Sequence, residues 1–325
     1  MGYQYFRSRL SGQEQIVYDM IYNALISYEP GVSLFGLANS NQVDRIAQLV
    51  IQENPSIFYV SGFQLQISLG AIKVSPQYTM SQAESQKLSN ECERIARRVL
   101  PSFPNQSLYD RAVYVHDTII RSVDYKNDGS ISAHSILSPF LSKYGVCDGF
   151  ANVFKFMLDL LHIPAIIVSG QAKSHAQSGY GPHAWNMIEI DRQWTHVDVT
   201  FDATIGSKHL IRHDYFGLPA RDISLDHSFE KGMYPAAPAS SMEYYQRNGL
   251  VMSTRTALES YAMKLLSSKN RNLIFKLPQG VQDNGLEAKV LSVITSCCKK
   301  LGIIGSIQMS FNCTQKVYHV TINQV

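Results

Sequence analysis

The sequence predicts an α+β protein in which a buried helix packs against an antiparallel sheet, with a small α+β domain on either side. A nearly apolar helical pattern runs from Cys147 to His162 and supplies the central helix. Three β-like runs follow it, at 165–169, 184–190 and 194–199, and a tight turn at 191–193 joins the last two. A buried helix followed by an antiparallel sheet is therefore expected at the centre of the chain.

The first predicted domain covers residues 1–104 and ends at the proline-containing stretch 101–105. Apolar residues at helical spacing and short alternating runs define its elements. These are helices at 16–25, 43–50 and 81–100 and strands at 57–60, 64–69 and 71–74. Asn41 is the expected N-cap of the second helix.

The second predicted domain, residues 105–240, begins with a helix at 107–125 and contains the central helix and sheet. Its loop 173–182, rich in Ser, Gly and His, is predicted to be mobile, with His175 at a substrate entrance. The third domain, residues 241–325, shows an αβαββ order, which is typical of a compact α+β sandwich. Its elements are helices at 254–267 and 285–301 and strands at 272–277, 303–311 and 316–322.

The amino-acid composition argues against several classes of function. Of the 325 residues 45% are hydrophobic and 17% charged, and the net charge of 29 − 26 = +3 argues against nucleic-acid or anionic membrane partners. No stretch is apolar enough for a membrane span. Residues 1–10 lack an apolar signal core, which favours a cytoplasmic location for the sequence as given, or an extracellular one if an export signal was removed. The five cysteines are expected to be reduced.

Cys147 stands at the predicted N-terminus of the central helix. Free backbone N–H groups and the positive end of the helix dipole stabilise a thiolate there, and the same N–H groups can hold an oxyanion. The alternative is an ordinary buried thiol that packs as a small hydrophobe.

His183 and Asp198 follow at the mouth of one predicted strand and within the next. His183 can act as the base that deprotonates Cys147, and Asp198 can then orient the imidazole. A two-residue register change would carry Asp198 past His183 on the same face of the sheet. The open alternatives are a loop histidine without a role and an edge-strand aspartate bonded to Thr200 or a turn.

Three sequence blocks carry a family resemblance: YGVCDGFA at 144–151, HAWN at 183–186 and WTHVDVTFD at 194–202. In this order they resemble the transglutaminase-like superfamily, in a bacterial-type form, over roughly residues 107–204. The resemblance implies a papain-like core in which Cys147 is the nucleophile, His183 the general base and Asp198 its orienting acid. Bacterial members commonly carry Trp where Phe201 stands and Tyr where Thr195 stands, and both positions pack beside Asp198.

Further residues near the three blocks are expected to contact substrate or support the triad. These are Tyr144, Asp148, Trp185, Asn186 and His196. For His196 a solvent-facing position is an equal alternative. No histidine or cysteine pair combines zinc-site spacing with carboxylate support and no EF-hand loop is present, so neither a metal nor another cofactor is expected.

The resulting functional hypothesis is cysteine-dependent acyl transfer on peptide or protein amides through a thioester at Cys147. Family members include peptide and amide hydrolases, enzymes that cross-link glutamine to amines, and inactive proteins. Hydrolysis is favoured slightly over cross-linking. A scaffold or peptide-binding module without turnover is the alternative from a different class.

Overall fold

The computed structural model describes residues 2–68, 70–103, 105–173, 179–281 and 285–324. The chain divides into two compact units. The first contains residues 1–212 and 227–237, and the second contains residues 213–226 and 238–325. The division into three domains stays a prediction, and residues 174–178 of the loop predicted to be mobile, which include His175, lie outside the described residues.

The first unit holds most of the regular structure. Its helices are α1 (Tyr5–Arg9), α2 (Gly12–Ile26), α3 (Ser40–Glu53), α4 (Gln82–Val99), α5 (Leu108–Ser122), α6 (Leu137–Leu141), α7 (Cys147–Leu160) and α8 (Val199–Ile205). Its strands are β1 (Val32–Phe35), β2 (Val60–Ser68), β3 (Ala71–Tyr78), β4 (Asp124–Tyr125), β5 (Tyr144–Gly145), β6 (Ala165–Ala172), β7 (Gly181–Ile190) and β8 (Gln193–Val197), with β10 (His227–Ser228) after residue 226.

The N-terminal part of this unit forms a three-stranded antiparallel sheet in the order β1-β3-β2. The four-residue β1 is too short for an alternating pattern to reveal. The predicted strand at 57–60 is wrong, because residues before Val60 form turns. Asn39, rather than Asn41, caps α3, since its side chain accepts the Gln42 N–H and the Gln42 side chain accepts the Asn39 N–H.

The central helix and sheet are confirmed, so the protein is α+β. Strands β10, β6, β7 and β8 lie side by side in that order, each pair antiparallel, and α7 packs on β6 and β7. Ile190 pairs with Gln193, and both intervening residues have left-handed backbone, with φ of 52° at Asp191 and 62° at Arg192. Two such residues match the right-handed twist of a two-residue hairpin.

The end of the last predicted strand is wrong. Strand β8 stops at Val197, and Asp198 is the N-cap of α8 instead of a strand residue. Its Oδ1 accepts the Phe201 N–H at 3.0 Å, which satisfies one of the free donors of the first helical turn. This cap outweighs the strand preference of the β-branched residues that follow. The predicted helix at 107–125 likewise ends early, and β4 pairs with β5 in parallel.

The second unit confirms the predicted αβαββ order. It contains β9 (Phe216–Leu218), α9 (Ala220–Ile223), α10 (Tyr244–Arg247), α11 (Arg255–Ser267), β11 (Asn272–Lys276), α12 (Leu286–Lys300), β12 (Gly305–Asn312) and β13 (Val317–Gln324). Its antiparallel sheet has the order β11-β13-β12, and the rings of Phe275, Tyr318 and Phe311 stack across the three strands. Across both units, none of the described helices is long and apolar enough to cross a membrane.

Candidate active site

Cys147 is the first residue of α7 and is partly exposed. Val146 precedes it in extended conformation and makes no side-chain cap, so the helix does not consume its first N–H groups with a capping side chain. The structure therefore places the Cys147 thiol at a helix N-terminus, as predicted. Of the other cysteines, three are buried and Cys313 is exposed.

Gly149 explains how the first turn of α7 fits into its surroundings. A Cβ atom at this position would lie 2.4 Å from the carbonyl oxygen of Ala133, closer than any side chain tolerates. That carbonyl accepts the Val146 N–H at 3.1 Å, which fixes the residue just before the cysteine. The glycine thus allows the helix start to pack directly on the 3-10 turn Ile131–His134.

His183 connects the cysteine to a carboxylate. Its Nε2 lies 2.6 Å from Oδ2 of Asp198, and the Cys147 thiol lies within hydrogen-bonding reach of the same ring. Because Nε2 is engaged by Asp198, Nδ1 is the nitrogen left for the thiol. The side chain of His183 is 9% exposed and that of Asp198 is fully buried.

The strand register accounts for this meeting. Asn186 pairs with Val197, so Asp198 stands opposite Trp185 and diagonal to His183 on the same face. The predicted two-residue offset is therefore present, although Asp198 reaches it as a helix cap. The three predicted triad residues come together in one place.

His227 is a further member of this cluster that the sequence reasoning missed. Its Nε2 lies 3.0 Å from the same Oδ2 of Asp198, and its side chain is fully buried. The residue is in the two-residue strand β10, where His227 pairs with Ala172 of β6. A strand this short has no periodicity, so only the histidine itself could have signalled the position.

The electrostatics of the cluster favour a charged pair. Burial opposes the charge on His183, but the Asp198 carboxylate and the Cys147 thiol outweigh it and raise the pKa of His183 to about 10. Burial would raise the pKa of Asp198, yet His183 and His227 hold it well below its usual range. Asp198 is therefore a carboxylate and His183 an imidazolium near neutral pH.

Trp185 and His196 support the cluster from the side. The indole stacks against the His183 ring, with centroids 5.9 Å apart and planes at 19°. Its Nε1 donates to Nδ1 of His196 at 3.1 Å. The solvent-facing alternative for His196 is wrong, because the residue is fully buried and its burial lowers its pKa to about 3. His196 is thus a neutral acceptor that holds the tryptophan ring.

Asn186 has a purely internal position. Its Nδ2 donates to the carbonyl of Ala151 in α7 at 3.0 Å and to that of Ile166 in β6 at 3.4 Å. These bonds tie the helix that carries Cys147 to the strand next to β7. Asn186 therefore supports the triad through the backbone and, at 1% exposure, does not face substrate.

Tyr144 and Asp148 are not brought to the triad by any described hydrogen bond. The Tyr144 hydroxyl donates to Asp128 at 2.5 Å, and Asp148 pairs with His134 at 2.7 Å on the surface.

Tyr125, which was not predicted as a site residue, lies near Cys147. Burial raises its pKa, and the negative potential of Cys147 adds to that rise. Its half-exposed ring makes it a candidate substrate contact.

Among the described residues, His183, Asp198 and His227 could also hold a cation, since their ligand atoms lie within 4.8 Å of one another. A cation there would have to displace the N–H protons that both rings direct at Asp198. The donor set therefore fits a hydrogen-bonded cluster better than a metal site.

A protein-family model matches the part of the chain that carries the predicted triad. Residues 95–199 match the model of the transglutaminase-like superfamily, a range that includes Cys147, His183 and Asp198 and ends before His227. No curated protein matches.

Three solved structures are similar to parts of the chain. A TGase has 13% identity and a TM-score of 0.30 over 43% of this chain and 44% of its own. A putative cysteine protease from Cytophaga hutchinsonii has 16% identity and a TM-score of 0.29 over 42% of this chain and 61% of its own. A putative protease from Parabacteroides distasonis has 10% identity and a TM-score of 0.25 over 41% of this chain and 35% of its own. The chain thus spans less than two thirds of the length of each.

Proposed function

We propose that this protein, which carries a transglutaminase-like domain at residues 95–199, is a cysteine-dependent enzyme that transfers acyl groups from peptide or protein amides through a thioester at Cys147. One observation carries the proposal: His183 lies between the Cys147 thiol and the buried Asp198 carboxylate, 2.6 Å from Asp198 Oδ2. A binding module without turnover has no need for this arrangement.

Acylation begins with the Cys147 thiolate and the His183 imidazolium. The sulfur attacks the amide carbonyl and forms a tetrahedral oxyanion, which the N–H groups at the start of α7 can stabilise. The C–N bond then breaks. His183 gives its Nδ1 proton to the leaving amine, and the acyl group remains on sulfur as a thioester.

Deacylation reverses these roles. The neutral Nδ1 of His183 takes a proton from water or from a primary amine as it attacks the thioester. Water yields a carboxylic acid, and an amine yields a new amide, with the thiolate as leaving group in both cases. Asp198 keeps Nε2 protonated throughout, so that Nδ1 alone exchanges protons.

Limited iodoacetamide labelling at pH 6, read by mass spectrometry, tests the first requirement. An ordinary thiol is only about 0.3% ionised at this pH. Cys147 is expected to react at least about 100-fold faster than Cys313, the exposed internal control, and to lose that advantage in His183→Ala. Equal labelling of Cys147 and Cys313 in the native protein would favour the binding-module alternative.

Hydrolysis is the outcome we favour over cross-linking. Incubation of the protein with an unfolded protein substrate and a fluorescent primary amine separates the two. Release of new peptide termini or of ammonia without amine incorporation is the expected result, and it should vanish in Cys147→Ala. Cys147-dependent incorporation of the amine would instead identify a transglutaminase.

A further inference from the structure

His227 and His183 share one oxygen of Asp198. The two Nε2 atoms lie 3.0 Å and 2.6 Å from Oδ2, while Oδ1 accepts the backbone N–H of Phe201. We propose that His227 is a positioning residue that holds Asp198 in the orientation required by His183, so that the working unit has four residues. The catalytic consequence rests on the proposed function, but the hydrogen bond does not.

The chemistry of the shared oxygen determines which ring nitrogen carries a proton. An ionised carboxylate can only accept hydrogen bonds, so both Nε2 atoms that approach Oδ2 must carry protons. The Nε2–H form of His183 is the one that leaves Nδ1 facing the thiol. His227 therefore acts as a donor to Asp198.

The local structure is built to bring His227 to this point. Its ring lies edge-on to Trp185, with centroids 4.9 Å apart, and 4.7 Å from the ring of Phe201. Gly170 permits the close approach of β10 to β6. A Cβ atom there would lie 2.4 Å from the Ser228 carbonyl oxygen and 2.8 Å from the Trp185 ring.

Full burial separates the role of His227 from that of His183. The His227 side chain has no exposed surface, so it cannot touch a substrate, whereas His183 is partly open. Loss of its N–H would leave Oδ2 with His183 as its single described donor. The carboxylate would then be free to rotate away from the geometry that serves His183.

Two substitutions separate the hydrogen bond from the packing. His227→Phe keeps a flat ring against Trp185 and Phe201 but removes the donor. His227→Gln removes the ring but places an amide N–H three bonds from Cβ, as far as Nε2 is in histidine. Iodoacetamide labelling of Cys147 at pH 6 is expected to fall about 10- to 100-fold in the first variant and less than about threefold in the second.

Cys313 labelling is the reference in each protein and should not change. Equal labelling of Cys147 in His227→Phe and the native protein would overturn the inference. An equal loss in both variants would also overturn it, since it would assign the effect to packing. If native protein shows no amide turnover while labelling still depends on His227, the proposed function fails and the inference stands.

A measurement on the unsubstituted protein covers the case in which a variant does not fold. In ¹⁵N-histidine spectra assigned through the backbone, His227 should carry a proton on Nε2 at pH 7. An unprotonated Nε2 at His227 would overturn the inference, because a bare nitrogen cannot donate to Asp198.

Discussion

His116 and His183 are two buried histidines of the same unit, and each is charged by neighbouring carboxylates. His116 lies on α5, with Nδ1 3.0 Å from Asp117 and Nε2 3.1 Å from Asp202. Burial opposes its charge, but the two aspartates raise its pKa to about 9, close to the value of about 10 at His183. Electrostatics alone does not distinguish the two rings.

The ring nitrogens do distinguish them. Both nitrogens of His116 face carboxylates and the side chain has no exposed surface, so no reacting group can reach it. His183 gives one nitrogen to Asp198 and the other to a thiol, and part of its ring is open. A raised histidine pKa is thus common to a structural and a candidate catalytic site, and the free nitrogen beside a nucleophile separates them.

The largest expected effect is that of Asp198→Asn. An amide NH₂ would meet the Nε2–H groups of two histidines in one orientation and the Phe201 N–H in the other. The first orientation removes the acceptor that fixes the tautomer of His183, the second opposes the α8 cap, and both remove the negative charge beside the imidazolium, so amide turnover should fall about 10³- to 10⁴-fold. Steady-state rates on a peptide amide check this.

The matched control is Asp202→Asn, which alters the partner of His116 in the same way. It should lower the rate of folded protein less than about threefold, since Asp202 is not in the triad. Equal losses in the two variants would remove the distinction between the two histidine sites.

The next largest effect concerns folding. His116→Phe leaves Asp202 buried without this partner and should lower the free energy of unfolding by about 3–5 kcal/mol. Urea denaturation followed by circular dichroism measures it. His134→Phe is the control, because the His134–Asp148 pair has similar chemistry but is about half exposed. Its expected cost is below about 1 kcal/mol.

A smaller effect is the pH dependence of stability. The folded pKa of His116, about 9, lies above the unfolded value of 6.5, so its contribution is fully present below pH 6.5 and is lost as pH rises through 9. His183 adds a similar loss up to about pH 10. Unfolding free energies at pH 6.5 and pH 10 should therefore differ less in His116→Phe than in the native protein. An unchanged difference would contradict the charge assigned to His116.

The pH dependence of stability that His196 contributes has the opposite sign to that of His116. Its folded pKa, about 3, lies below the unfolded value, so the unfolded chain binds the extra proton between pH 3 and 6.5. Stability should fall as pH drops through that window. His196→Gln should reduce this acid sensitivity, as measured by unfolding at pH 6.5 and pH 4. If the loss of stability between pH 6.5 and pH 4 is unchanged in His196→Gln, a group other than His196 causes that loss.

The smallest expected effect is that of Asp148→Asn. Asp148 is in the first turn of α7, but its described partner is the exposed His134. Labelling of Cys147 should change less than about threefold. A fall of about 10- to 100-fold, as expected for His227→Phe, would mean that Asp148 supports the thiol directly.

Sequence reasoning found the parts of the site that belong to long, periodic elements. Cys147 begins an apolar helix and His183 lies in a ten-residue strand, so the meeting of the two could be anticipated. Asp198 was placed correctly in space but in the wrong element, because a helix cap looks like the end of a strand when β-branched residues follow. The second histidine on Asp198 lies 227 − 198 = 29 residues further on, in a strand of two residues.

The supporting residues show the same limit. His196 and Trp185 were expected near the triad from adjacent strand positions, and their contact is present. The sequence could not show whether His196 is buried or exposed to solvent. An alternating pattern indicates which face of a strand a side chain lies on, but not what packs against that face. His116 gave no signal, since its partner Asp202 lies 86 residues away in a helix that was not predicted.

The path of the chain between the two units has a practical meaning for anyone who cuts or fuses this protein. The backbone passes from one unit to the other after residues 212, 226 and 237, and His227 is the first residue after the second crossing. A fragment trimmed to the family match at 199, or to the first crossing, therefore discards a residue bonded to the triad carboxylate. Each unit is made of two separate chain segments, so neither unit can be replaced by a single cut and join.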